Sequence, residues 1–312
     1  MPNECVVVHD FSPAQIDNNI GYYVANELLP LLTNLHHRQE DQYRYSPQEL
    51  FERSVGAIVR SMDGNERRAW HLFYDNTLSA LSASASSGAY DAAHDILPAL
   101  AADFPPADDF IAEFGAIYQQ AIHLVTELKQ GSLCPYTVFD VATCFGFFPL
   151  SLAKTIREKG ASDAWHIVAC DLNPALVALA SDYARQRQFT AVTFCLADIL
   201  VDDIQQTLPV AERPFDVVTA IHLLEHLDPE QTSIALTQLW QLTGQRLIIA
   251  VPLEETPDAR FGHRQVFNRQ RLQALGKQLG GHYDYFEYHG GWLVIDRPQQ
   301  HATERVPSKR LL

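Results

Sequence analysis

His222, Glu225 and His226 stand close together in "AIHLLEHLDPEQ", residues 220–231. On a stable helix, this spacing would turn two imidazoles and a carboxylate toward one zinc ion. In a short turn leaving a buried strand, the same residues would line a pocket for a small cofactor. The run "FDVVTA" (215–220) just before them is of strand type, and Asp228-Pro229 opens the next helix. Only a short turn is left for the motif. Zinc would also need a third ligand, and the nearest acidic pair, Glu254 and Glu255, falls at the end of a later strand. The expectation is a pocket-lining turn that holds no metal.

The elements that must position this turn are legible downstream of "KQGSLCPY". Apolar runs at 137–142, 165–171, 191–198, 215–220 and 245–252 alternate with helical segments such as "PLSLAKTIREKG", "PALVALASDYARQR" and "PEQTSIALTQLWQLT". That alternation predicts an α/β fold, a parallel sheet with helices on both faces. "HYDYFEYHGGWLVIDRP" ends the pattern with two strand-like runs joined at Gly290-Gly291, an antiparallel hairpin. The ligand of such a sheet lies at the carboxyl ends of its strands, near the point where strand order reverses.

Chemistry-bearing residues fall at those ends. Asp140 is late in the first strand, and Gly146 opens the turn into a helix whose first N–H groups, with Thr143, suit a carboxylate. Asp171 ends the second strand, placed to accept hydrogen bonds from vicinal ribose hydroxyls, and Asp198 ends the third, placed to touch a base edge. Past the fifth strand, Glu254, His263 and Arg264 are candidates for a substrate wall, with His263 a general base for a hydroxyl and His222 the second candidate. A solvated loop ending at an Asn268 helix cap accounts for that stretch equally well.

This constellation resembles the class I S-adenosylmethionine-dependent methyltransferases, over about residues 134–298. "DVATCFG" aligns with the family's D-x-G-x-G-x-G loop as Asp140, Ala142, Cys144 and Gly146, so two of its glycines are replaced here. Asp171 in "VACDLNP" and Asp198 in "CLADIL" match the next two motifs, and "IHLLEHL" is close to the family's segment after strand four. The resemblance implies a doubly wound, mostly parallel seven-stranded sheet and S-adenosylmethionine as cofactor. It implies contacts from Asp140, Ala142, Thr143, Gly146, Asp171, Leu172, Asp198 and Ile199. More narrowly, "ATCFGFFPL" and "VPLEETPDARFGHRQVFN" are similar to the mycofactocin-associated oligosaccharide methyltransferases, which implies a sugar hydroxyl as acceptor. The alternatives are a cofactor-binding protein of the same fold without turnover and, more remotely, an HxxEH zinc metallopeptidase. A nicotinamide oxidoreductase fits less well, because "ATCFG" keeps one glycine of the three its pyrophosphate turn requires.

Composition bounds the partners. The 312 residues carry a formal charge of −15, with 18 acidic and 7 basic side chains in the first 130. No basic footprint for a nucleic-acid backbone exists, so a neutral small-molecule or glycan acceptor is expected. No apolar run is long enough for a membrane span, and five scattered cysteines fit reduced thiols in a cytoplasm. Residues 1–130 read as a helical lid or substrate domain, 131–298 as the methyltransferase domain and 299–312 as a tail. In the first part, helical patterns run over 12–35, 46–62, 66–85 and 108–130, and Tyr22, Tyr23, Trp70, Phe73 and Tyr74 either line an acceptor pocket or pack as core.

Overall fold

The computed structural model describes residues 108–128, 135–201, 214–258 and 262–298, together with positions between 67 and 82. The helical patterns at 12–35 and 46–62, the residues Tyr22, Tyr23 and Phe73, and the tail 299–312 lie outside the described residues. Seven strands form one sheet: β1 Tyr136–Val141, β2 Trp165–Asp171, β3 Val192–Leu196, β4 Phe215–Ile221, β5 Thr243–Val251, β6 His282–Glu287 and β7 Gly291–Asp296. Their order is β3-β2-β1-β4-β5-β7-β6. The first five pair in parallel, and β7 enters antiparallel between β5 and β6. The order reverses between β1 and β4, which makes their carboxyl ends the place for a ligand. The hairpin joint differs slightly from the expected Gly290-Gly291. Gly291 already pairs with Glu287 and Val251, so the turn is Tyr288-His289-Gly290.

Period-two alternation divides the core. Val138, Ile167, Val217 and Ile248 face one layer, and their neighbours Phe139, Val168, Val218 and Ile249 face the other. On the first face lie helices α1 (Asp108–Thr126), α2 (Phe147–Glu158) and α3 (Pro174–Gln186); on the second lie α4 (Pro229–Leu242) and α5 (Arg269–Leu279). Local sequence explains the starts of three of them. Asn173 and Asn268 cap α3 and α5 through their side chains, and Asp228 and Gln231 form a reciprocal capping box on α4. None of the described helices is long and apolar enough to cross a membrane.

The helical positions 67–82 pack on this first face. Trp70, Tyr74, Leu78 and Leu81 are buried in the same cluster as α1 and α2. Arg67 holds Asp182 of α3 with two hydrogen bonds of 2.9 and 2.8 Å, and Tyr183 donates to Asp75 at 2.7 Å. At the opposite end of the sheet from the ligand edge, Arg246 at the start of β5 binds Asp296 through two nitrogens, at 2.7 and 2.9 Å. The same guanidinium reaches Glu127 and the carbonyl of Leu124 at the foot of α1.

Removing one member of a largely buried ion network strands its partners, which costs about 3–5 kcal/mol at full burial. Glu127 and Asp296 are each over a third exposed. Arg246→Met is therefore expected to lower unfolding free energy by only about 2 kcal/mol, read by urea denaturation. A change under about 0.5 kcal/mol would show that α1 is held by its apolar face alone.

Candidate active site

Asp140 sits at the end of β1, 3% exposed, and its Oδ1 accepts a hydrogen bond from the Thr219 hydroxyl of β4 at 2.6 Å. Burial pushes its carboxyl up to about 7; the Thr219 and Thr143 hydroxyls temper the rise and nearby Asp171 adds to it. The chain then turns through Ala142, Thr143, Cys144 and Phe145 to Gly146. Ala142, Cys144 and Gly146 have φ of 58°, 53° and 75°, so all three are left-handed. These are the three positions where the resemblance expects glycine. The backbone keeps the glycine-loop course at two residues that carry a side chain, each at a cost of about 1–2 kcal/mol. Gly146 has no such latitude, because a Cβ there would lie 2.5 Å from Cε1 of Phe194.

Asp171 stabilises this strained turn. Its Oδ2 accepts the Cys144 N–H at 2.7 Å and its Oδ1 the Asn173 N–H at 2.9 Å, with the side chain 2% exposed. The carboxylate expected to face a ribose therefore also ties the β1 turn to the start of α3. Leu172 beside it is 37% exposed at the ligand edge. After β3, Asp198 accepts the Leu200 N–H at 2.8 Å, which fixes the turn, while Ile199 is buried beneath. Every cofactor residue expected from sequence thus lies along the carboxyl ends of β1, β2 and β3.

The stretch after β4 is a turn, as its brevity required: a single 3-10 turn, Leu224–His226. His222 takes a left-handed φ of 54° and its N–H bonds the Ala250 carbonyl of β5 at 2.9 Å. Glu225 is wholly buried, with His222 Nδ1 at 3.1 Å from its Oε1. Burial alone would raise its carboxyl, but the His222 and His226 imidazoles outweigh that and hold it low. The loop after β5 folds back onto this turn. The Arg264 N–H donates to the Glu225 carbonyl at 2.7 Å, and Gln265 Nε2 donates to the Leu224 carbonyl at 2.7 Å and to Thr232 Oγ1 at 2.6 Å. His263 consequently meets His226 edge to face, ring centroids 5.0 Å apart, while its Nδ1 bonds Glu254 at 2.8 Å. Sequence placed His222 and His263 separately on the rim; the structure joins them through one turn. Arg264 instead points to Gln231 and Asp228 of α4, at 3.0 and 3.7 Å.

Two residues near this rim were missed in the sequence. Phe114 of α1 packs on His222 at 5.2 Å between centroids, and Tyr118 one turn on packs on Phe148 at 6.0 Å. Burial first, then Cys144 and Asp140, raise the Tyr118 phenol well above its ordinary value. The i,i+4 aromatic pair in "FGAIY" was the available signal, but that spacing also describes core. Of the aromatics singled out earlier, Trp70 and Tyr74 are core, 4% and 0% exposed.

The turn generates a contrast. Ala142→Gly relieves the left-handed penalty and adds backbone freedom to the unfolded chain, so unfolding free energy should change by less than about 1 kcal/mol, on the stabilising side. Gly146→Ala should cost about 3 kcal/mol or more from the Phe194 clash and the forced φ. Equal losses in both variants would mean that the turn is not held in this conformation.

Comparisons with known proteins come from a sequence-family model and from solved structures. A family model described as a methyltransferase domain matches residues 138–245, from mid-β1 into β5. No curated protein sequence matches the chain. The magnesium protoporphyrin IX methyltransferase of Synechocystis PCC 6803, solved with bound SAH, is similar at 14% identity and TM-score 0.47, over 67% of this chain and 96% of that one. The CMeT domain of the citrinin polyketide synthase is similar at 13% identity and TM-score 0.49, over 80% of this chain and 69% of that one. The [4+2]-cyclase SpnF is similar at 18% identity and TM-score 0.42, and the match spans 56% of this chain and 60% of the cyclase. The family match identifies residues 138–245 as a methyltransferase domain, the stretch that carries the left-handed turn after β1 and the acids at three strand ends.

Proposed function

We propose that the chain transfers the methyl group of S-adenosylmethionine to a hydroxyl of a small or glycan-like molecule. The observation that carries this reading is the turn at Ala142, Cys144 and Gly146, which keeps the three left-handed positions above two buried aspartates at the switch point. The start of the helix that follows it lies at the place proposed for a methionine carboxylate. The cofactor's methyl is already activated by its sulfonium, so the protein contributes alignment, exclusion of water and an acceptor for the hydroxyl proton. His263, held through Nδ1 by Glu254, and His222 on the left-handed corner after β4 are the two candidate proton acceptors. The −15 charge of the chain supports a neutral acceptor over an anionic one.

The finer form of the reading is a mycofactocin-type oligosaccharide as acceptor, supported by "ATCFGFFPL" and by the loop that brings His263 to the rim. Residues 1–130 would then cover the strand ends and shape the acceptor pocket, 131–298 would hold the cofactor, and 299–312 would form a tail. The reaction would take place in the cytoplasm, where the three described cysteines stay reduced, and it involves neither nucleic acid nor membrane.

Titration with S-adenosylhomocysteine tests the core of the reading. Asp171→Ala should weaken binding by about 1.5–3 kcal/mol, the loss of charge-assisted hydrogen bonds. Unchanged affinity in a folded variant would remove the ribose assignment. Asp140 supplies a pH test, since its carboxyl is neutral below about 7 and ionised above it. The cofactor's sulfonium and ammonium favour the ionised form, so affinity for S-adenosylmethionine should rise about tenfold from pH 6 to pH 8 and then level. Asp140→Asn should flatten that profile, and a flat wild-type profile would place Asp140 away from the cofactor's charges.

A further inference from the structure

The turn after β4 gathers donor groups that alignment of a sulfonium does not require. Glu225 is 0% exposed, and among the described residues its carboxylate is met by imidazoles, with His222 Nδ1 3.1 Å from Oε1. A wholly buried carboxylate is costly unless positive or donating groups surround it, and here those groups are imidazoles. One carboxylate oxygen of Glu225, one ring nitrogen of His226 and one of His263 lie within 4.8 Å of one another. The two elements that bring them together are locked by backbone, through the Arg264 N–H on the Glu225 carbonyl. Glu254 lies 2.8 Å from His263 Nδ1, where a carboxylate suits a donating ring nitrogen. A carboxylate behind a histidine is the usual support of a metal-ligating imidazole.

We propose that Glu225, His226 and His263 bind one divalent first-row transition cation, zinc being the best match, with Glu254 orienting His263. Two imidazoles and one carboxylate suit zinc, cobalt or manganese, whereas magnesium and calcium take oxygen donors. Three protein ligands leave coordination positions open for water or a substrate oxygen. The geometry differs from a peptidase site. There the two histidines of HxxEH bind from one helix and the glutamate acts as base; here the turn is 3-10, Glu225 is a ligand and His222 is not. The third ligand absent from the sequence reading is a histidine, with the acidic Glu254 standing behind it.

The cation's role rests on the methyl-transfer reading. An acceptor hydroxyl on the open position has its pKa lowered by the charge. Its proton leaves to His222, the oxygen–carbon bond forms as the carbon–sulfur bond breaks, and S-adenosylhomocysteine departs as a neutral thioether. This assigns His263 to the cation and His222 to the proton.

The test uses chelator-treated full-length protein titrated with cobalt(II), followed by its visible absorption and by elemental analysis. One cobalt per chain is expected, displaced by zinc. His263→Ala and Glu225→Gln should each weaken binding more than about 100-fold, and Glu254→Gln by about 10–100-fold, as loss of an outer partner does. His222→Ala should keep full stoichiometry. Circular dichroism and S-adenosylhomocysteine affinity should stay unchanged in all four, so lost metal is not mistaken for lost fold. No saturable cobalt binding in folded wild type, or undiminished binding in His263→Ala, would overturn the site. Cobalt bound at one per chain in a protein that ignores S-adenosylhomocysteine would uphold the site and refute only its part in methyl transfer.

Discussion

The ligand edge depends on one carboxylate. Asp171 accepts an N–H from the turn after β1 and another from the start of α3. Charged acceptors make hydrogen bonds worth about 1.5–3 kcal/mol each, comparable to the cost of holding Ala142 and Cys144 left-handed. The trade explains how a turn normally built on glycines persists with side chains in it. It also explains why the loop is fixed at the carboxyl ends of the strands, since the residue that fixes the turn is the residue at the end of the adjacent strand.

A second constraint acts across the switch point. The loop after β5 returns to the β4 turn, and Gln265 donates its side-chain amide to the Leu224 carbonyl and the Thr232 hydroxyl, both buried. Arg271 closes that network by donating to Gln265 Oε1 and to the Val266 carbonyl. Three chain segments thereby share one polar knot, and the histidines at its surface inherit its rigidity. Residues from two βα loops behave as one wall because their backbones are joined.

Much of this was legible in the chain, for a physical reason. Strand alternation, capping residues and the order of acids at strand ends are local, and local signals survive without coordinates. The five parallel strands, the closing hairpin and the positions of Asp140, Asp171 and Asp198 are all of that kind. The departures from the glycine pattern were visible too, but only φ values show that Ala142 and Cys144 follow the glycine course. What stayed hidden is long-range. His263 is 37 positions from His226, and nothing in either segment announces that Arg264 will bond the Glu225 carbonyl. Arg67 and Asp182, 115 positions apart, are equally silent as a pair. Phe114 and Tyr118 were masked for a different reason: an aromatic at core spacing looks the same whether it faces a core or a rim.

Helix α1 runs the height of the sheet, about 28 Å for its 19 residues. Its foot is pinned by Arg246, through the Leu124 carbonyl and Glu127, and its upper turns lay Phe114 on the His222 ring. A rod clamped at one end and resting a ring on His222 at the other is a lever. A tilt of a few degrees about the Arg246 pivot moves Phe114 far more than it moves Leu124. A displacement of its upper turns is felt first by His222.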